Sequence, residues 1–278
     1  NQSYYRAIER FSEDVDVTID WRALHPHPPS PDELREMSKN KVGNLKDEIS
    51  ELLIAHVGQN IKPGLQRSLA SVNSEVSVEF EQDSKGNPVG GKLRIHYPVV
   101  TEKDAYIPSS ILIEFGAKNS IEPGEQHVIS PDVAEHVPGV GLPSAGVNVL
   151  SPQRTFWEKA TILHAEFHRP ADKPMPDRFS RHYCDFHELI RKGVGTSAIA
   201  KPELLARVAQ HKSLFFRTSW ARYDEAVKGA LRIAPPEHRL KPLRDDYARM
   251  QQMFFGEPPK FDAIISLLTQ WELEFNRR

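Results

Sequence analysis

The chain has 278 residues, and its 36 Lys and Arg against 38 Asp and Glu give a formal net charge of −2. Hydrophobic residues at 39% and charged residues at 27% indicate a folded globular protein and exclude a disordered chain or a polycation. The single cysteine excludes a disulfide framework and fits the reducing cytosol, so we expect a cytoplasmic protein. Because the sequence has no run of about 18 apolar residues, we expect no transmembrane helix and no membrane partner.

The first half of the chain mixes strand and helix patterns. Acids alternating with β-branched residues predict a strand over 14–19. Ser30 followed by Pro31 and two acids predicts a helix start, and apolar spacing carries the helix to Val57, with a short helix resuming after Pro63. Four strands are then predicted, over 76–80, 93–97, 111–115 and 147–150, and period-two alternation indicates the first two. The first two of these four are expected to form an antiparallel hairpin.

The second half of the chain is almost entirely helical in pattern. Ser151 and Pro152 predict a helix start, and apolar residues continue the helix to Phe167. Further helices are predicted over 178–191, 201–215, 240–255 and 260–276. We place a boundary near Leu150 and expect two domains, at residues 1–150 and 151–278.

An Asp-x-Asp pair is the first candidate for chemistry. Residues two apart on a strand face the same side, so Asp14 and Asp16 would present two carboxylates to one point. Close carboxylates repel unless a cation lies between them, and Mg²⁺ or Mn²⁺ is the natural partner of oxygen ligands. Glu114, an acid within an apolar strand, is a candidate third ligand. The alternative is that all three are solvated acids on exposed strand faces.

Two charged pairs in the helical half are further candidates. Arg154 and Glu158 are four apart on a helix and can pair with each other. Lys159 lies on another face, where it could hold a triphosphate as a point charge or be an ordinary surface lysine. Arg181 and Asp185 have the same spacing of four and can also pair.

Histidines and the cysteine offer a different chemistry. His164 and His168 are four apart on a predicted helix, a spacing that can chelate zinc. A zinc hydrolase of this kind needs a glutamate directly after the first histidine, and Ala165 occupies that position. We therefore expect these histidines to pack or contact a ligand, with a zinc site as the alternative. We expect Cys184 to be a small packed residue rather than a nucleophile.

Four segments form a pattern along the chain: residues 8–16 (IERFSEDVD), 113–118 (IEFGAK), 154–159 (RTFWEK) and 178–185 (RFSRHYCD). In this order and at this spacing they resemble the nucleotidyltransferases of the AbiEii/AbiGii toxin family, which belong to type IV toxin–antitoxin and abortive infection systems. The resemblance spans most of the chain, and the residues after Ala200 add little to it beyond helices.

The resemblance implies an α+β fold and an enzymatic function. The implied fold is a polymerase-β-like nucleotidyltransferase core, a mixed sheet with flanking helices, followed by an α-helical C-terminal domain. The implied enzyme is Mg²⁺-dependent and transfers a nucleotide from a nucleoside triphosphate to an RNA acceptor, with tRNA expected, by two-metal catalysis. The resemblance also implies a cognate antitoxin protein and a role in phage defence.

Site residues follow from the resemblance position by position. It implies the metal ligands Asp14, Asp16 and Glu114, the catalytic residues Asp14, Asp16, Lys159 and Asp185, and the nucleotide-binding residues Ser12, Arg154 and Lys159. Arginines that lie among aromatic residues of the helical half are the expected RNA-binding residues: Arg178, Arg181, Arg217 and Arg222. For most of these aromatic residues we expect helix core instead.

A phosphate-binding turn is also part of the family pattern. It precedes the Asp-x-Asp, and its backbone N–H groups and hydroxyl cradle the phosphates. Such a turn would lie before Asn1, so we expect the N-terminal part of the core to be missing from this sequence. The alternative function is a catalytically silent family member that acts as an RNA- or protein-binding module.

Overall fold

Contacts along the chain define two compact units. In the computed structural model, residues 8, 10–11, 14–86, 88–99 and 110–277 are described. One unit is Ser12–Ile121, here called the sheet unit, and the other joins Asn1–Phe11 to Glu122–Arg278 and is here called the helical unit.

The division between the units falls before the last two strands of the chain, whereas the sequence pattern puts a boundary near Leu150. The reason is local hydrogen bonding. The N–H of Ser151 donates to the carbonyl of Pro123 at 3.0 Å, and Nη1 of Arg154 donates to the carbonyl of Glu122 at 3.3 Å. These bonds attach the segment from Glu122 to the helix that follows it.

The described part of the sheet unit begins with one strand, continues with four α-helices and ends with three strands. Its strands are β1 (Asp14–Thr18), β2 (Ser77–Gln82), β3 (Pro88–His96) and β4 (Ser110–Gly116). Its helices are α1 (Trp21–Leu24), α2 (Pro31–Glu36), α3 (Lys39–His56) and α4 (Lys62–Ala70). The strand predicted over 14–19 and the hairpin predicted from the period-two patterns are confirmed.

The long helix predicted from Ser30 to Val57 is divided in the structure. Ser30 caps α2 through a reciprocal capping box with Glu33, as the sequence signal predicts. A second cap at Ser38, which accepts from the N–H of Lys41, begins α3 and ends the first helix early. Pro63 does not break the helix, because it lies in the first turn of α4, directly after a π-helical turn at Val57–Ile61.

Within the described residues, the sheet unit contains a four-stranded mixed sheet in the order β1-β4-β3-β2. β1 is parallel to β4, and the other two pairings are antiparallel. Strand alternation gives the sheet one apolar face, on which Val78, Leu93 and Ile95 are buried. Helix α3 lies against β3, and its Leu53 approaches Gly91 closely. The opposite face carries the charged residues.

A hairpin and six helices form the described part of the helical unit. The hairpin strands are β5 (Gly124–Ile129) and β6 (Ala145–Leu150), and they pair antiparallel. The helices are α5 (Pro152–Phe167), α6 (Ser180–Arg191), α7 (Val194–Ile199), α8 (Pro202–Phe215), α9 (Glu237–Arg249) and α10 (Phe261–Arg277). The predicted helices are confirmed with shifted bounds, and α7 and β5 are additional elements.

The core of the helical unit is aromatic. Phe156 and Trp157 of α5 are fully buried and lie beside Phe186 of α6 and the indole ring of Trp271 of α10. Trp271 also stacks on Phe275 one turn later, with ring centroids 5.0 Å apart. These contacts join three helices into one bundle. Across the part of the chain that is described, every helix is too short or too polar to cross a lipid bilayer.

Candidate functional site

Three carboxylates lie on one face of the sheet unit. Asp16 of β1 is directly opposite Glu114 of β4 in the parallel register, and Asp14 is opposite Leu112. Residues opposite each other on neighbouring strands point to the same side of a sheet, and so do residues two apart on one strand. Asp14, Asp16 and Glu114 therefore share the charged face. On the sequence alone, Glu114 could simply face water on its strand, and the register shows that the face it occupies also carries Asp16.

Basic residues of β3 continue the same row across the sheet. Lys92 is opposite Glu114 and Arg94 is opposite Leu112 in the antiparallel register. Nζ of Lys92 forms an ion pair with Oε1 of Glu114. Arg94 donates to Glu81 at 2.6 Å and to the hydroxyl of Ser110 at 3.0 Å. The hydrogen bond from Arg94 lowers the pKa of Glu81, so this carboxylate stays ionised.

The donor set of the three carboxylates fits a hard divalent cation. Ionised Asp and Glu oxygens are the preferred ligands of Mg²⁺ and Mn²⁺. Asp14 is half-buried and Asp16 is exposed. The described residues nevertheless contain no group of three or more His, Cys, Asp or Glu side chains arranged to hold a metal ion. Glu114 is engaged with Lys92, so it would have to leave that pair to become a third ligand.

A buried ionic cluster occupies the helical unit. Asp185 of α6 accepts hydrogen bonds from Nε and Nη2 of Arg10 at 2.8 Å each, and from Nζ of Lys159 of α5 at 2.8 Å. The Asp185 side chain is fully buried, and those of Arg10 and Lys159 are 10% exposed. Nδ1 of His182 lies 3.5 Å from Nζ of Lys159. The helix spacing of Arg181 and Asp185 does not reveal either of these partners.

Burial and charge act against each other in this cluster. Burial opposes the ionised form of Asp185, but Lys159 and Arg10 outweigh burial and hold the pKa of this carboxyl well below its usual range. Burial lowers the pKa of Lys159, and the neighbouring Asp185 counteracts that effect. Burial, followed by the charge of Lys159, lowers the pKa of His182 well below its usual value. The cluster therefore contains an ionised acid and an uncharged imidazole at neutral pH.

Arg154 lies in a second buried ionic group of the same helix. Its guanidinium donates to Oε1 of Glu158 at 2.6 and 3.0 Å, so the predicted i, i+4 pair is confirmed. Lys212 of α8 holds the other carboxylate oxygen of Glu158 at 2.7 Å. The Arg154 residue is only 3% exposed. This placement ties α5 to α8, and a nucleotide contact from Arg154 stays a prediction.

The expected RNA-binding arginines lie on several elements of the helical unit. Arg178 and Arg181 are half-buried near the start of α6, whereas Arg217 and Arg222 are exposed after α8. Core positions are expected for most of the neighbouring aromatic residues, and Phe179, Tyr183 and Phe215 are indeed buried. Trp220 is only half-buried, and its ring lies under the charged ends of Arg169 and Lys173. Ser12, the remaining expected nucleotide contact, lies outside the described residues.

Both ring nitrogens of His164 are engaged in protein hydrogen bonds. Its Nδ1 accepts from the N–H of Arg232 at 3.0 Å, so its Nε2 carries the proton and donates to the carbonyl of Arg222 at 2.9 Å. Burial lowers the pKa of His164 to about 4. A histidine bound in this way packs two loops onto α5 and has no nitrogen left for zinc. Cys184 is buried, as expected, and burial raises the pKa of its thiol to about 12.

Three residues of these clusters carry no assigned role from the sequence. Arg10 lies within the segment that resembles the toxin family, but its partner Asp185 is 175 positions away. Lys92 and Arg94 alternate on a strand, which indicates a basic face, but only the register shows that this face adjoins the acids. The alternation of Lys92 and Arg94 on one predicted strand, compared with the alternation of acids on another, could have marked both basic residues as candidates.

Comparison with known families gives one match. A family model described as "Nucleotidyl transferase AbiEii toxin, Type IV TA system" matches residues 2–267 of the chain. No curated protein gives a significant match. The match covers both compact units, and its description names the nucleotidyl transferase activity and, through the toxin–antitoxin system, an antitoxin partner. The chain belongs to the AbiEii nucleotidyl transferase toxin family of type IV toxin–antitoxin systems.

Proposed function

We propose that the protein transfers a nucleotide from a nucleoside triphosphate to an RNA acceptor, with tRNA as the preferred acceptor. The observation that carries this proposal is the pairing of Asp16 with Glu114 in the register, with Asp14 on the same face of the sheet. In a chain of a nucleotidyl transferase family, such an acidic face is what a polymerase-β-like core uses to bind divalent ions. We propose that this sheet is that core and that α5 to α10 form the C-terminal helical domain.

Asp14, Asp16 and Glu114 would hold the Mg²⁺ or Mn²⁺ ions of a two-metal site. When bound, such ions lower the pKa of an acceptor hydroxyl and neutralise the charge of a triphosphate. The contribution of the chain is to keep three carboxylates on one rigid sheet face, where strand geometry limits their movement. Glu114 joins the other two only after it leaves Lys92.

The proposed transfer forms one bond and breaks one. The acceptor hydroxyl oxygen bonds to the α-phosphorus, the bond from that phosphorus to the pyrophosphate oxygen breaks, and the hydroxyl proton passes to solvent. Negative charge grows on the departing pyrophosphate, and we assign its stabilisation to the ammonium of Lys159. Asp185 acts as the catalytic support that holds this ammonium in place through the 2.8 Å hydrogen bond between them. Ser12 and Arg154 are the further proposed nucleotide contacts.

The RNA would be held by exposed cations of the helical unit. Arg217 and Arg222 are exposed, which suits contacts to a phosphate backbone. Arg178 and Arg181 are the other two proposed contacts. We propose that the resulting damage to tRNA in the cytoplasm arrests growth during phage infection, and that the cognate antitoxin counteracts it.

A labelling reaction tests this function. The purified protein is incubated with total RNA, Mg²⁺ and each nucleoside triphosphate labelled at the α-phosphate. We expect RNA labelling that Asp16→Asn reduces at least about 100-fold, because a neutral amide is a much weaker ligand for a hard cation. Glu79→Gln is the matched control, since Glu79 is an exposed acid on the same sheet face but on the far strand β2. Full labelling by Asp16→Asn would contradict the assigned metal role.

The Lys92–Glu114 pair favours one alternative, a catalytically silent member that binds RNA or protein. If this lysine permanently replaces a cation at the carboxylates, no metal-dependent chemistry follows. Binding of a non-hydrolysable nucleoside triphosphate separates the two functions. Binding that requires Mg²⁺ supports the enzyme, whereas RNA binding with no nucleotide binding supports the silent module.

A further inference from the structure

Lys92 lies at the end of a row of charged residues that crosses three strands. Asp16 is opposite Glu114 on one side, and Lys92 is opposite Glu114 on the other. All three side chains are on the same face of the sheet because they are register partners. Glu114 therefore stands between a carboxylate and an ammonium of its own chain, and it is the ammonium that it binds.

The ion pair between Lys92 and Glu114 is accessible to water, so another cation can replace Lys92 in it. The two side chains are 36% and 32% exposed. Ion pairs this accessible to water contribute only about 0.2–1 kcal/mol, because water competes and two flexible side chains must be ordered. A divalent cation carries twice the charge of an ammonium on a smaller radius, so it can displace Lys92 from this carboxylate.

The neighbouring basic residue Arg94 is held differently. Its guanidinium bonds to both Glu81 of β2 and Ser110 of β4, which fixes it toward partners away from Glu114. The hydrogen bond that Arg94 donates to Glu81 raises the pKa of Arg94, so its charge is permanent. The charge of Asp14 also acts on Arg94, but at longer range and without a described ion pair. Lys92 is thus the basic residue of β3 that forms a described ion pair with a proposed metal ligand.

We propose that Lys92 is an internal counter-ion, which holds Glu114 while no divalent cation is bound and releases it when a cation binds beside Asp14 and Asp16. This inference rests on the proposed function, because it needs the carboxylate face to be a metal site. Lys92 is then a positioning residue that acts through Glu114. Its ammonium weakens divalent binding by competing for the third ligand, and it keeps the acidic face from accumulating uncompensated charge in the metal-free protein.

The test is a titration of the full chain with Mn²⁺ alone, measured by calorimetry and by the loss of the free-ion spin resonance signal. We expect Lys92→Gln to bind Mn²⁺ about three- to fivefold more tightly than the natural chain, because the competing charge is gone. Lys92→Arg keeps the charge and should bind close to the natural affinity. Lys85→Gln, a change at an exposed turn lysine, is the control for loss of one positive charge.

A double-mutant cycle identifies the route of the effect. In a Glu114→Gln background, Lys92→Gln should change Mn²⁺ affinity less than about twofold, because the carboxylate through which Lys92 affects the bound ion is absent. The inference is overturned if Lys92→Gln leaves Mn²⁺ affinity unchanged or weaker, or if its effect is equally large without Glu114. The proposed function fails separately, when Asp16→Asn does not reduce Mn²⁺ affinity in an otherwise natural chain.

Discussion

Arg10 donates from Nε and Nη2 to the two carboxylate oxygens of Asp185, at 2.8 Å each, although 175 positions separate the two residues. The same carboxylate accepts from Lys159, so three segments distant in the sequence meet at one buried acid. A charge removed from water is costly unless it is paired and hydrogen-bonded. The short bonds to Asp185 meet that requirement and fix the position of Lys159.

Replacing Arg10 by alanine should destabilise the helical unit. Arg10→Ala removes the two bonds to Asp185 and a third to the carbonyl of Phe11, and leaves a cavity beside a buried carboxylate. Because Lys159 still compensates the charge, we expect a loss of about 2–3 kcal/mol in the free energy of unfolding, measured with urea at pH 7. Arg10→Lys should recover part of it, since one charged bond can form.

Arg35→Ala is the matched control for this experiment. Arg35 pairs with Asp32 at 2.6 Å, but both side chains are largely exposed. We expect this change to alter the free energy of unfolding by less than about 0.5 kcal/mol. Equal effects of the two alanine variants would show that the Arg10–Asp185 pair is no better than a surface contact.

Lys159 offers a way to separate catalysis from folding. Lys159→Met keeps the volume of the side chain and removes a charge that burial opposes, and Asp185 keeps its bidentate bond to Arg10. We therefore expect the free energy of unfolding to change by no more than about 1 kcal/mol. RNA labelling should fall at least about 100-fold, because no ammonium remains to stabilise the leaving pyrophosphate. Labelling at the natural rate would remove Lys159 from the proposed mechanism.

Local sequence signals predict the helices and strands of this fold better than the contacts between them. Alternation of acids and β-branched residues correctly predicts β1, and capping residues correctly predict the starts of α2 and α5. The break between α2 and α3 is missed because a cap at Ser38 competes with continuous apolar spacing. Helix α7 is missed because its six residues are too few for a periodic pattern.

The candidate sites depend on contacts that no local pattern contains. Strand alternation predicts that Asp14 and Asp16 share a face, but only the register brings Glu114 and Lys92 to the same row. Helix spacing correctly predicts the pair of Arg154 with Glu158. The same spacing suggests Arg181 as a partner of Asp185. The described hydrogen bonds of Asp185 are instead with Arg10 and Lys159, which lie in distant segments that only tertiary packing brings together.

A glycine on the apolar face of the sheet is tightly enclosed. A Cβ added to Gly91 would lie 2.9 Å from the carbonyl oxygen of Phe115 and 3.2 Å from Cδ2 of Leu53. The first contact is with backbone and cannot move without disturbing the β3–β4 pairing. We expect Gly91→Ala to lower the free energy of unfolding by about 1–3 kcal/mol, measured by urea denaturation.

Gly146 in β6 is the control for the loss of glycine. A Cβ at this position meets nothing within 4 Å. Alanine there reduces the freedom of the unfolded chain, so we expect Gly146→Ala to be neutral or to stabilise by a few tenths of a kcal/mol. If Gly91→Ala also proves neutral, Phe115 and Leu53 do not enclose Gly91 as closely as these two distances indicate.

Buried histidines should make the protein sensitive to mild acid. The pKa of His164 is lowered by burial from 6.5 to about 4, and burial also lowers the pKa of His168 and of His182. Below pH 6.5 the unfolded chain binds protons that the folded chain excludes, so stability falls as the pH drops from 6.5 toward 4. His164 alone should cost about 2 kcal/mol at pH 5 relative to pH 7.5.

Unfolding free energies of His164→Asn at pH 7.5 and pH 5.0 check this prediction. The variant loses a bond at one of the two sites that His164 joins, so it is less stable at pH 7.5, but it has no imidazole to protonate. We expect the difference in free energy between the two pH values to shrink by about 2 kcal/mol relative to the natural chain. His238→Asn, at an exposed position of α9, should keep the natural difference. An unchanged pH dependence in His164→Asn would mean that His164 is protonated in the folded protein, which its acceptor bond from Arg232 opposes.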